Sequence, residues 1–391
     1  MQINQKGFTL VELVIVMVVF IVIIIIASNS FNTIIGQNTK LMTSEESNIE
    51  GIVGLEMFRH DLEQSGFGLP SAFQASPPQY TEASVAPANS YNESADSVPR
   101  PVFAANDVTA TGVLAKTDYL VIKGTTLGLS QTSQRWTYVN YSSSGNAPKT
   151  WSSGNLSTGD KAIVLRRVFS DSGVSNQLVY QTPTKFYATI PAPNTLLDAD
   201  FQPLPHETLT IYGVDNGTSL SMPFNRADYF VGDPTQFGQQ LPARCAPNTG
   251  VLFKTVVNQS GGTLTPVPIL DCVADMQVVF GWDANGDGLI DAYTNADGSS
   301  CSGTTCGQVA TLITTPDGIR NSLKLIKVYI LAQDGARDKN FTNSSTTILV
   351  GSQENGEITL TKNYDLSGHN LMNYHWKVYR IIVNPKNLST Q

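Results

Sequence analysis

The sequence predicts an α+β protein in which one long N-terminal helix packs on a large, mainly antiparallel β-sheet head. Three observations predict it. Phe8 to Ala27 is a run of 20 residues whose only charge is Glu12, and about 30 Å of helix is enough to cross a bilayer. From Asn38 to Gly66 there is no proline, and Ile49, Ile52, Val53, Leu55, Phe58 and Leu62 recur at three- and four-residue intervals, the period of a helix with one apolar face. From Thr117 onward, short apolar or alternating runs recur between turn residues, which is the signal of antiparallel strands.

The helix comes first. The short polar leader carries one charge, Lys6, so the N-terminus is expected to stay cytoplasmic and the bulk of the chain to be exported. A secretory signal peptide would have a shorter apolar core followed by a small-x-small site. Here the processing-like junction, Gly7/Phe8, lies before the apolar run. Glu12 inside that run costs roughly 2.5–3.5 kcal/mol on insertion scales, so it needs a reason. An amine on Phe8, freed by cleavage after Gly7, would supply the cation. The amphipathic continuation should stop at Gly66, Gly68 and Pro70, and Gly36, Gly51 and Gly54 should weaken its middle.

Ser71 to Lys116, rich in Ala, Ser, Pro and Asn, reads as a long surface excursion. Strands are expected over 119–123, 162–165, 177–180, 208–212, 251–256, 276–280, 323–331, 346–350 and 376–383, with a polar loop over 140–154. The division that follows is 1–7 leader, 8–28 membrane and assembly helix, 29–69 helix on the head, 70–250 enlarged β-rich insertion, and 251–391 C-terminal sheet.

Charged residues make up only 14% of the chain and the net charge is −8. No basic stripe exists to neutralise phosphates, which argues against nucleic acid as the main partner. Four cysteines, Cys245, Cys272, Cys301 and Cys306, suit an oxidising compartment. The short loop between Cys301 and Cys306 favours that pair, leaving Cys245 with Cys272; a four-thiolate metal site is the alternative.

Asp283-Ala-Asn285-Gly-Asp287-Gly288-Leu289-Ile-Asp291 is the strongest internal motif. Oxygens at loop positions 1, 3, 5, 7 (the Leu289 carbonyl) and 9 suit calcium, a hard cation wanting six to eight of them. Position 12 is Thr294 where a bidentate Glu would stand, with Asp297 as a distant substitute. A hairpin loop that binds nothing is the plain alternative. For an enzyme there is little: His60, His206, His369 and His375 show no ligand spacing, and neither a Gly-x-Ser-x-Gly elbow nor a phosphate loop occurs. Tyr80, Tyr91, Trp136, Tyr138, Tyr141 and Trp151 fall in polar surroundings, where they either pack or form an adhesive surface.

Lys6-Gly7-Phe8-Thr9-Leu10-Val11-Glu12-Leu13 resembles the processing motif of type IV prepilins and type II secretion pseudopilins. The resemblance implies a peptidase cut between Gly7 and Phe8 and N-methylation of Phe8. It also implies that Glu12 pairs with a neighbouring subunit's N-terminus. Phe58 to Gly68, Cys272 to Asp283, Gly318 to Leu331 and Trp376 to Asn387 resemble, more loosely, the late helix and last strands of PilW-like minor pilins; Pro385 departs from the usual Arg. The implied fold is the type IV pilin fold. The implied partners are other minor and major pilins, the prepilin peptidase and the inner-membrane assembly platform. The implied location is the inner membrane with a periplasmic head, then the pilus or cell surface. The expected role is non-catalytic: initiating pilus assembly at or near the tip. A J-class secretion pseudopilin and a tip adhesin built on residues 71–250 are the alternatives.

Overall fold

Helix α1 runs unbroken over Leu10–Glu63, the one long N-terminal helix expected from the sequence. In the computed structural model, residues 10–388 are described except 95–96, 144, 171–172, 193–194, 196 and 218, with backbone alone for 29–30 and 32–50. The first 19 residues, Leu10–Ser28, are apolar but for Glu12 and Ser28, and none is buried. In the upper part Leu55, Phe58 and Leu62 are buried, whereas Ile52 and Val53 are 61% and 69% exposed. The apolar residues of this stretch therefore split between two faces, and only one meets the head. Gly51 and Gly54 have a use beyond flexibility. A Cβ at Gly54 would lie 2.4 Å from the Ile269 carbonyl oxygen and one at Gly51 2.8 Å from Leu270, so both glycines let the helix sit close on the sheet.

Beyond α1 come β1 (Val102–Val108), β2 (Thr117–Gly124), β3 (Trp136–Asn140), β4 (Lys161–Ser170), β5 (Gly173–Val179), β6 (Ala188–Thr189), β7 (Thr208–Asp215) and β8 (Asn225–Gly232). There follow β9 (Gly250–Val257), β10 (Leu264–Trp282), β11 (Ala292–Asn295), β12 (Cys301–Gly303), α2 (Cys306–Leu312) and α3 (Pro316–Ser322). The chain ends with β13 (Leu323–Asp334), β14 (Thr347–Val350), β15 (Lys362–Asp365) and β16 (His375–Val383).

The main antiparallel sheet has the order β1-β2-β8-β9-β10-β11-β12, with β13 joined to β10 and β16 to β13. β10 is its spine. Its first part pairs with β9 through Val273, and its second part pairs with β13 on one side and β11 on the other. One face of the sheet buries Met276, Val278, Phe280, Val328 and Ile330 against α1. The opposite face buries Val279, Tyr329 and Leu331 under Val350 and Leu360.

A second sheet, β3-β7-β4-β5 with β6 on β4, is inserted between β2 and β8. The chain leaves β2 and re-enters β8 at one cross-strand pair, Gly124 and Asn225. One face of this sheet packs on Leu69, Tyr80 and Val257, and the other is covered by Ile190, Leu197 and Phe201.

Two expectations need correction. The division at 250/251 cuts β9 after its first residue, and β9 pairs with β8 in one sheet, so strands from both sides of it share a single core. The stretch 71–116 is also no loose excursion. It contains β1, and buried ion pairs fasten it down: Glu82 receives Lys123 Nζ at 2.7 Å and Arg226 Nη1 at 2.7 Å.

Candidate functional site

The site with most to hold together is the junction of α1 with the head. Asp61, two residues before the helix ends, is 5% exposed and accepts from Tyr229 Oη at 2.6 Å. Lys254 Nζ lies 2.5 Å from the same carboxylate. Phe58 stacks on Tyr229 with ring centroids 3.9 Å apart. Burial, followed by the Asp61 charge and hydrogen bond, raises the Tyr229 hydroxyl well above its ordinary pKa, so it stays a donor. In the sequence Asp61 stands out only as part of a resemblance. The structure shows its work, which is to lock the helix onto β8 and β9. At the other end of α1, Glu12 lies in the first described turn. Gly7 and Phe8 lie outside the described residues.

The acidic loop follows β10. Asp283 is 4% exposed, and its carboxylate accepts the N–H groups of Gly286 at 2.8 Å and Gly288 at 3.1 Å. Asn285 accepts the N–H of Asp287 at 3.0 Å, and Asp287 accepts that of Leu289 at 2.8 Å. Asp291 accepts the Thr305 hydroxyl. One carboxylate oxygen each from Asp283, Asp287 and Asp291 lie within 4.8 Å of one another. Oxygens at 2.3–2.6 Å around a calcium would be up to roughly 5 Å apart, so this donor set fits the ion. The two twelfth-position candidates do not join it. Thr294 turns inward to accept from Trp282 Nε1 at 3.0 Å, and Asp297 accepts the Ser299 N–H instead. Lys324 Nζ, 3.9 Å from Asp283, competes for the same charge.

Two disulfides are formed, Cys245–Cys272 and Cys301–Cys306, which leaves no thiolate for the alternative metal site. The second borders the acidic loop, because the Thr304 N–H donates to the Asp291 carbonyl at 3.1 Å. The aromatics divide. Tyr80 is buried against Phe224, and Tyr91 stacks on Tyr119 at 4.2 Å, so both belong to packing. Trp136, Tyr138 and Trp151 gather at the edge of the second sheet, where Trp136, Tyr141 and Trp151 are exposed. Of the histidines, His375 stacks on Phe341 at 3.8 Å, and none joins the acidic cluster, the one such cluster among the described residues.

A second charged group went unseen in the sequence. Arg226, fully buried, binds Asp228 through two contacts of 2.7 Å and also donates to Asn92 and the Ala88 carbonyl. Tyr119 Oη donates to Asp228 at 2.6 Å, and Lys123 Nζ to Glu93 at 2.6 Å. The arginine and aspartate sit two apart on one face of β8, so a faint strand signal was present, but charges at core positions hid it.

Comparison with known families addresses both ends of the chain. Residues 229–386 match the type IV pilus-assembly protein W family, and residues 3–28 match the prokaryotic N-terminal methylation motif. No curated protein and no solved structure matches the chain. The first match begins within β8 and takes in the spine strand, the acidic loop, both disulfides and the edge strand β16; the second sheet lies outside it. A methylation motif on the apolar helix and a pilus-assembly match over the C-terminal part of the head together support a PilW-like type IV minor pilin.

Proposed function

We propose that this protein helps initiate type IV pilus assembly at or near the tip, as a non-catalytic subunit. The observation that carries the reading is α1 itself, a continuous helix whose first 19 residues are apolar but for Glu12 and Ser28 and are left unburied. Such a surface requires lipid or other helices around it. The head is enlarged by a whole second sheet, a bulk that a tightly packed shaft accommodates poorly and a tip accommodates well.

In this reading the peptidase cuts between Gly7 and Phe8, the new amine is methylated, and Glu12 answers that amine on a neighbouring major or minor pilin. The head sits in the periplasm until the subunit leaves the inner membrane through the assembly platform. Glu12→Val should insert into the membrane at least as well as the parent, since a charge is lost, yet leave cells with few or no pili. Normal piliation in that variant, or N-terminal mass analysis showing Met1 to Gly7 still attached in a peptidase-positive cell, would overturn it. Loss of protein secretion with pili intact, on deleting the gene, would favour the pseudopilin alternative. The exposed Trp136, Tyr141 and Trp151 favour adhesion as a second role: Trp136→Ser with Trp151→Ser should then reduce attachment and leave piliation unchanged.

The acidic loop, in the same reading, holds calcium as a stabiliser of the head. Asp283, Asn285, Asp287 and Asp291 with the Leu289 carbonyl are the proposed donors. Three carboxylates repel one another when no cation is bound, and calcium at 100 times its Kd adds about 2.7 kcal/mol to folding. The melting temperature of the full chain should rise in millimolar calcium and fall in chelator, and Asp287→Ala should erase the difference. Identical melting in both conditions would leave only a hairpin loop.

A further inference from the structure

We infer that the open edge of β1, beside a cavity walled by the C-terminal part of β10, is a strand-addition site. It would take an extended segment of a partner protein that carries one bulky apolar side chain with a basic residue nearby. The site goes beyond the initiation reading, since it lies on the head and its test needs no pilus.

The sheet curls so that β10 returns toward β1, but the two do not pair. β1 bonds to β2 alone, and among the described residues no other backbone reaches Val102–Ala105. Beside this unpaired row lies a cavity of about 210 Å³. Its lining includes Val102, Ala104, Phe280, Trp282, Ile319 and Leu323, all members of the main core under α1. The cavity therefore runs from a rim at Arg100, Phe103, Ala105 and Asp297, along a strand edge, down to side chains of the principal core that are themselves buried.

Both ends of the seam are closed. At one end Arg100 Nη1 donates across it to the Ile313 carbonyl at 3.3 Å. At the other the Asp118 carboxylate bridges the two strands, accepting the N–H of Asp107 on β1 at 3.0 Å and that of Val278 on β10 at 2.7 Å. The edge left between these bolts is short, and it ends in an irregularity between Ala105 and Val108. Room remains for about four residues of added chain.

The occupant follows from what the seam lacks. A small apolar molecule would fill the cavity yet leave a row of N–H and C=O groups unpaired, and a helix has no spare backbone groups to offer. An extended segment satisfies both, its backbone on the edge and one alternate side chain in the cavity. Charge narrows it further. Arg100 is already held by Glu93, while Asp297, exposed at the rim, accepts only a backbone N–H. The rim's uncommitted charge is negative, and it calls for a cation beside the apolar anchor.

The test uses the full chain in phospholipid nanodiscs and a fluorescent heptapeptide, Lys-Thr-Val-Phe-Val-Thr-Lys, followed by anisotropy. Replacing the peptide's central Phe by Asp should weaken binding by about tenfold or more, as should N-methylating alternate residues on one edge. Ala296 is a buried residue of the cavity wall, and Ala296→Met, which fills the cavity from the protein side, should do the same without lowering the melting temperature. Equal binding of the N-methylated peptides would make the cavity a small-molecule pocket and overturn strand addition. Absence of binding at millimolar peptide would overturn it too. So would self-association of the chain that Ala296→Met abolishes, which would make a second copy the occupant.

Discussion

Replacing Arg226 by Met should destabilise the head by about 3–5 kcal/mol, the cost of leaving buried charge uncompensated. The guanidinium is completely excluded from solvent and lies between Glu82 at 2.7 Å and Asp228 at 2.7 Å. Burial by itself would pull its pKa down, but the Asp228 carboxylate and then Glu82 more than reverse this, so the group stays charged. With Arg226 gone, Lys123 still answers Glu82, and Asp228 keeps only the Tyr119 hydroxyl and its surroundings. A loss of this size is a large share of the roughly 5–15 kcal/mol that holds a typical domain folded. Thermal or urea unfolding of the full chain reads it directly. The double variant Arg226→Met with Asp228→Asn should lose less than the two single losses added together, because the second change removes the stranded charge. A single-variant loss below about 1 kcal/mol, the range of exposed pairs, would show that the network is solvated.

The second large effect is expected at Asp61→Ala. It strands the ammonium of Lys254, itself 5% exposed, and removes the acceptor of Tyr229. Breaking a buried pair from one side costs about 3–5 kcal/mol, and here the loss falls on a single interface, that of α1 with β8 and β9. The upper helix should become sensitive to protease while the disulfide-linked sheet keeps its near-ultraviolet circular dichroism. Asp61→Ala with Lys254→Met should recover much of the loss, since neither charge then remains. If protease resistance of α1 is the same in Asp61→Ala as in the parent, the helix is held by Leu55, Phe58 and Leu62 alone.

What could be read from the sequence follows a physical line. The helix was legible because an apolar run and a proline-free periodic stretch meet without a break, and its stop was legible at Gly66 and Gly68. Strands such as β2, β9 and β13 were legible from apolar runs. β8 was not, because Arg226 and Asp228 occupy positions where a core strand would show apolar residues. β1 was not, because Val102–Val108 shows little alternation and sits among turn-forming residues. Periodicity alone could not say that Ile52 and Val53 face away from the head, since the head's approach is set by Gly51 and Gly54. In the acidic loop the donors at 283, 287 and 291 were visible from their spacing. The fate of Thr294 was not, because it depends on the distant indole of Trp282.

The second sheet leaves and rejoins the head at one rung, Gly124 opposite Asn225, and this has an evolutionary consequence. An insertion whose two ends are already neighbours can lengthen, shrink or be exchanged without moving the strands on either side. Closing a longer loop adds only about 0.6 kcal/mol per doubling of its length. What a replacement must supply is apolar cover for Leu69, Tyr80 and Val257, which the present sheet shields. The helix, the spine strand β10 and the locking pair Asp61–Lys254 lie outside the inserted segment. Within such a scaffold, the outward-facing surface can be rewritten for a new task while the parts that fold and anchor the subunit stay unchanged.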